Sequence, residues 1–128
     1  MNNKKHIEVV AAVIKKDDKF FCCQRGQKNE CAFKWEFPGG KIEPGETREE
    51  ALKREIKEEL DCNIIIEKFI TTINYEYNTF LLTMYVYLCH LKDNEPILLE
   101  HKASLWCDKD KLKTLDFAEA DRLLLKLI

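Results

Sequence analysis

The 128-residue chain lacks any strong charge bias: 21 Lys and Arg stand against 23 Asp and Glu, a formal net charge of −2. A chain so balanced offers no electrostatic footprint for duplex nucleic acid or an anionic membrane. It also lacks an apolar run long enough to span a bilayer. The opening MNNKKHIEVV carries lysines but not the apolar core and cleavage site of a secretory leader. Glu8, and then the lysines from Lys15 to Lys19, interrupt it, so a cytoplasmic chain is expected. The six cysteines form no Cys-x-x-Cys pair, and no His spacing completes a zinc site. Cys22, Cys23, Cys31, Cys62, Cys89 and Cys107 are therefore expected to be small buried hydrophobes in a reducing compartment. Internal repeats, low-complexity segments and linkers are absent too. What remains, at 45% hydrophobic and 34% charged residues, suits one folded domain, residues 1–128, with its own core.

The apolar pattern predicts mostly strands. Residues 6–15 (HIEVVAAVIK) are β-branched and apolar, residues 16–19 read as a turn, and residues 20–25 as the second strand of a hairpin. Residues 26–33 read as a loop, and residues 35–37 as a short extended piece stopped by Pro38, Gly39 and Gly40. Thr47, with Glu50 three residues on, forms a capping box that opens a helix running to about Leu60. Residues 63–77 and 80–91 read as two long strands, and 103–107 as a short one. A helical turn is expected at 108–112. A closing amphipathic helix is expected at 118–128, with Leu123, Leu124 and Leu127 as its apolar stripe. Helices before and after a long hairpin imply an α/β (α+β) arrangement, a mixed sheet between helices.

The helix carries the puzzle. Glu49 and Lys53, and Glu50 and Arg54, stand at i,i+4 in the favourable order, as on an ordinary solvated face. One turn later Glu55 meets Glu58 at i+3 and Glu59 at i+4, and Glu55 and Glu59 border the apolar stripe Leu52, Ile56 and Leu60. Like charges repel at this spacing, and the C-terminal half of a helix disfavours anions. Two readings stand: a solvated acidic face, or a hard-oxygen site for Mg²⁺, with Mn²⁺ as substitute. Gly39, Gly40 and Gly45 before the helix allow a tight backbone path. A Walker loop is excluded because Gly45 is followed by Glu46 and Thr47, not by Lys and Ser or Thr.

Gly40, five residues, Glu46, seven residues, and then Arg54-Glu55-Ile56-Lys57-Glu58-Glu59-Leu60-Asp61-Cys62 resembles the Nudix box. The second glycine of the family pattern is Asp61 here, which tolerates the left-handed conformation a helix C-cap needs. The flanking WEFPGGKIE, the length and the strand order are similar to those of MutT-like members. The resemblance implies the Nudix fold and Mg²⁺-dependent cleavage of a nucleoside triphosphate to monophosphate and pyrophosphate. It implies metal ligation by Glu55, Glu58, Glu59 and the Gly39 carbonyl, with Glu100 as a further acid. Arg54 would orient a motif glutamate, and Glu46 would support it. Either Glu55 or Glu100 would be the base. Arg25, Phe37, Gly40 and Lys41 would meet substrate.

For the base itself, Asp121 is where MutT-like enzymes place a base-reading polar residue. It reads equally as a first-turn acid favoured by the helix dipole. Phe37 and the Trp35 region read either as pocket wall or as plain core. A carboxylate only accepts hydrogen bonds unless protonated, which leaves two substrate types open. One is 8-oxo-dGTP; the other is CTP or 5-methyl-dCTP. Either implies sanitising of the nucleotide pool, a DNA-repair role. The partner expected is a small nucleotide, with no duplex nucleic acid and no membrane, and the chain is a monomer or homodimer. A catalytically silent nucleotide-binding module is the rival class. Dinucleotide polyphosphates and nucleotide sugars are less favoured substrates for so compact a chain.

Overall fold

A computed structural model describes residues 4–27 and 31–128, so residues 1–3 of the N-terminal segment and 28–30 of the expected loop lie outside the described residues. The chain runs β1 (Lys5–Lys16), β2 (Lys19–Gln24), β3 (Trp35–Glu36), β4 (Gly39–Lys41), α1 (Arg48–Leu60), β5 (Ile64–Glu76) and β6 (Phe80–Leu91). It continues through β7 (Ala103–Cys107), α2 (Lys109–Leu112) and α3 (Glu119–Arg122) to a 3-10 turn at Leu123–Lys126. The strands form a mixed sheet ordered β3-β2-β1-β6-β5, with β4 on β1 and β7 on β2. β1 pairs parallel with β6, from Lys5 opposite Phe80 to Ile14 opposite Cys89. β5 and β6 form the long antiparallel hairpin.

β1 is the reason the sequence opens on so continuous an apolar run. A central strand covered on both faces needs no polar alternation. Val10, Ala12 and Ile14 pack with Leu52, Ile56 and Leu60 of α1. Ala11 and Val13 point the other way, into a second cluster with Phe37, Phe117, Ala120 and Leu124. Each fully buried side chain of α1's stripe contributes about 1.5–3 kcal/mol relative to exposure. All six cysteines are buried and outside any disulfide, as expected of small hydrophobes. Among the described residues no helix is long and apolar enough to cross a membrane.

Both ends of α1 follow from its sequence. The Glu50 N–H donates to Thr47 Oγ1 at 3.1 Å, and the Thr47 N–H to Glu50 Oε1 at 2.8 Å. Asp61 caps the other end in the left-handed region, at φ 47° and ψ 42°.

Two expectations need correction. The short extended piece does end before Pro38, but Gly39 and Gly40 are more than a stop: Gly39–Lys41 is a strand, antiparallel to β1 at Val9, Val10 and Ala11. A Cβ on Gly39 would strike the Val10 carbonyl, so only glycine allows this approach. At Gly40 the obstacle is the flexible Glu55 carboxylate. Gly39→Ala should therefore lose about 3 kcal/mol in urea unfolding, whereas Gly40→Ala should unfold near wild type. Equal losses would contradict the assignment.

The closing helix is the second correction. It is only Glu119–Arg122, tightening to a 3-10 turn. Leu123 and Leu127 are 45% and 55% exposed, while Leu124 is fully buried. The inner face is Phe117, Ala120, Asp121 and Leu124.

Candidate active site

The Gly40-to-Arg54 spacing resolves into one hub. Arg54 grips Glu46 twice, Nε to Oε2 at 2.6 Å and Nη2 to Oε1 at 2.9 Å. Nη2 also donates to the Lys41 carbonyl at 3.0 Å, and Nη1 to Glu55 Oε1 at 2.9 Å and Glu58 at 3.3 Å. Such bidentate, charge-assisted contacts tie the glycine segment to the helix with defined geometry. They hold the Glu46 carboxyl below its usual range. The expected i,i+4 pairs give way to this hub. Glu50 is committed to the capping box, Glu49 accepts the Tyr87 hydroxyl at 3.3 Å, and the i,i+4 pairs that form are Arg54 with Glu58 and Lys57 with Asp61. Glu55 is thus paired with its neighbour on the helix.

Glu59 has no such help. Its Oε1 is shielded from solvent and has no hydrogen-bond partner. Burial, then the charges of Glu36, Glu55 and Glu100, push its carboxyl up to about 9, while the Gly39 N–H acts the other way. Burial likewise raises Glu55. Among the described residues no three acidic, His or Cys side chains stand in ligating geometry. The donor set still fits a hard divalent ion. It offers carboxylate oxygens, one of them orphaned, whose mutual repulsion a cation would relieve.

Glu59 forms part of the floor of a cavity of about 260 Å³. Arg25, Phe37, Gly39, Gly40, Lys41 and Asp121 all border it, so the structure brings every expected substrate-contacting residue to one place. Ile7, Phe80, Leu82 and Met84 form its apolar wall. Glu46, Arg54, Glu55 and Glu58 flank the cavity without lining it. Glu100 lies exposed on the segment after β6, near enough for its charge to raise Glu55 and Glu59.

Asp121 is buried. Its Oδ2 accepts the Phe37 N–H at 2.9 Å, and burial followed by the charge of Glu36 holds the carboxyl well above its ordinary value. Phe37 is both cavity border and core, stacked on Phe117 with ring centroids 5.4 Å apart. Trp35 does not border the cavity; it packs against the core cluster containing Phe117. Glu36 and His101 were not singled out by the sequence. Glu36 accepts from Arg25 Nη1 at 2.8 Å and from His101 Nε2 at 2.9 Å. The signal for Glu36 was a lone acid between Trp35 and Phe37 in a two-residue strand.

A family profile of the NUDIX domain matches residues 9–127. The CTP pyrophosphohydrolase of Escherichia coli (strain K12) is 35% identical over 124 residues, 95% of this chain and 90% of that protein. The 8-oxo-dGTP diphosphatase of Haemophilus influenzae is 32% identical over 124 residues, 96% and 91%. The crystal structure of a MutT NUDIX hydrolase from Burkholderia pseudomallei superposes with a TM-score of 0.86 at 29% identity, covering 98% of this chain and 99% of that one. With the domain profile covering nearly the whole chain and these relatives agreeing in sequence and fold, the chain belongs to the Nudix hydrolase family, on its MutT-like side.

Proposed function

We propose that residues 1–128 act as one Nudix unit in the cytoplasm. It hydrolyses a modified nucleoside triphosphate to monophosphate and pyrophosphate, as an 8-oxo-dGTP diphosphatase-like enzyme of the nucleotide pool. The observation that carries this reading is the orphaned oxygen of Glu59 in a cavity that Asp121 also borders.

Nudix hydrolases generally need a divalent metal; here Glu55, Glu58, Glu59 and the Gly39 carbonyl would hold Mg²⁺, with Mn²⁺ as substitute and Glu100 as a further ligand. When bound, the ion polarises phosphoryl oxygens and offsets the charge that develops on them. The protein's own groups do the rest. Arg25 and Lys41 neutralise phosphate, and the absent side chain of Gly40 leaves room beside Glu55. Arg54, clamped by Glu46, holds Glu55 and Glu58 in place. Glu55 or Glu100 takes the proton of the attacking water as its oxygen bonds phosphorus and the anhydride bond breaks, releasing pyrophosphate.

Asp121 favours a second substrate type. With its carboxyl held above the ordinary range, it can donate as well as accept. That suits the N3 and exocyclic amine of a cytosine as well as an oxidised guanine edge. CTP or 5-methyl-dCTP is therefore the alternative.

The test is pyrophosphate release with Mg²⁺ from 8-oxo-dGTP, dCTP, 5-methyl-dCTP and CTP. Release from at least one is expected, and chelation should stop it. No release from any of them would leave a nucleotide-binding module.

A further inference from the structure

The segment that carries Glu100 is fastened on both sides of that residue. On one side it closes the C-terminal end of α1, where the last carbonyls of a helix lack partners. The Ile97 N–H donates to the Leu60 carbonyl at 2.7 Å and the Leu99 N–H to the Glu59 carbonyl at 3.1 Å. The Asn94 side-chain amide donates to the Asp61 carbonyl at 3.0 Å. On the other side the Lys102 N–H donates to the Gln24 carbonyl at 3.0 Å, bringing the segment to β2.

Between these anchors sits His101, whose side chain is only 6% exposed. Its Nε2 lies 2.9 Å from Glu36 Oε2. The other oxygen of Glu36 accepts from Arg25, so Glu36 is an acceptor here and Nε2 donates. The other ring nitrogen, Nδ1, is buried and makes no hydrogen bond. A histidine is thus held by one nitrogen, directly after an exposed glutamate. Only two soft backbone dihedrals per residue separate the Leu99 anchor from the His101 anchor. Fixing both limits where the Glu100 side chain can reach.

We propose that His101 is a positioning residue: through its single Nε2 bond to Glu36 it tethers the segment over α1 and so places the Glu100 carboxylate beside Glu55 and Glu59. It touches neither substrate nor reacting atoms. The inference rests on the role given to Glu100 above. It also accounts for a buried histidine that uses one nitrogen, because a tether needs one donor.

The experiment compares His101→Ala, His101→Gln and His101→Asn, with Glu100→Ala and the Glu100→Ala/His101→Ala double variant, in steady-state kinetics. Amide hydrogen exchange of the metal-free proteins provides a readout independent of turnover. Gln carries its amide nitrogen near the Nε2 position and Asn near Nδ1. His101→Ala should lower kcat about 10- to 100-fold, the scale of an ångström-sized misplacement, with KM within about twofold. His101→Gln should recover most of that loss and His101→Asn should not. In the Glu100→Ala background, His101→Ala should cost nothing further, as coupled sites require. Exchange at the Leu99 and Lys102 amides should quicken in His101→Ala and stay near wild type in His101→Gln.

Additive losses in the double variant would overturn the inference, as would equal defects in the Gln and Asn variants. A raised KM at unchanged kcat would also overturn it, by placing the effect on Arg25. If Glu100→Ala alone left kcat unchanged, the role of Glu100 would fail separately. The tether would then stand or fall on the exchange rates.

Discussion

Glu58→Gln should lower kcat by about a thousandfold, roughly 4 kcal/mol of transition-state stabilisation, while the melting temperature stays within about a degree of wild type. The side chain is 54% exposed and pairs with Arg54 at 3.3 Å. Arg54 keeps Glu46 and Glu55, so nothing buried is stranded. Surface replacements of this kind move stability by no more than about 0.5 kcal/mol.

Glu59→Gln should lose turnover to a similar degree but raise the melting temperature of the metal-free protein. Burial, with the charges of Glu36, Glu55 and Glu100, holds this carboxyl at about 9, so near neutral pH the metal-free fold must protonate it, and a neutral amide of the same shape removes that cost. Addition of Mg²⁺ should then stabilise wild type more than Glu59→Gln, because an ion bound only by the folded state adds to its stability. Melting curves with chelator and with Mg²⁺ read both signs. A metal-free Glu59→Gln protein less stable than wild type would contradict the picture of a cation site built from crowded acids.

Asp121→Asn should change both the pH dependence of folding and the choice of base. In the folded protein the carboxyl is pushed up to about 8 from an ordinary 3.8, chiefly by burial. Between those values the folded state keeps a proton that the unfolded state releases. Stability from this group is therefore complete below about 4 and is lost as pH rises towards 8, by up to about 1.4 kcal/mol per pH unit. Asn does not titrate, and its carbonyl still accepts the Phe37 N–H. Urea unfolding at pH 5, 6, 7 and 8 should thus show a flatter profile for the variant. Parallel profiles would mean that Asp121 is ionised in the fold.

On the kinetic side, the amide offers a permanent donor beside its acceptor. Above about pH 8, where the wild-type carboxyl loses its proton and only accepts, the ratio of kcat/KM for 8-oxo-dGTP to that for 5-methyl-dCTP should shift by about a hundredfold towards the guanine type in the variant, because an unmatched polar group in a closed pocket rejects its ligand strongly. An unchanged ratio would remove Asp121 from base reading and leave it as the anchor of the Phe37 backbone.

Some of this was legible because it is local. The capping box at Thr47 and Glu50, the left-handed Asp61 and the strand at 103–107 each depend on neighbours within a few residues. The Glu46–Arg54 clamp was legible through the motif, because the spacing between them is a property of the chain. The glycine pair was misread. Along the chain Gly39 and Gly40 read as punctuation, yet their missing side chains let β4 lie against β1 and leave space for Glu55. The phase of the closing helix was misread too, because a Leu-Leu-Leu run fits any face until the sheet selects one.

The amino-acid sequence by itself determined the family, the acid-bearing helix and nearly every strand, since periodicity, caps and motif spacing act along the chain. Only the tertiary structure decided which charges meet. Glu36 on β3 joins Arg25 beyond β2 and His101 beyond β6, residues 11 and 65 positions away in sequence. It likewise decided that Glu59 keeps an unpartnered oxygen while Glu55 is paired with Arg54. Burial and pairing are relations between segments far apart in the chain, and the energy of a charge depends on them far more than on its neighbours in sequence.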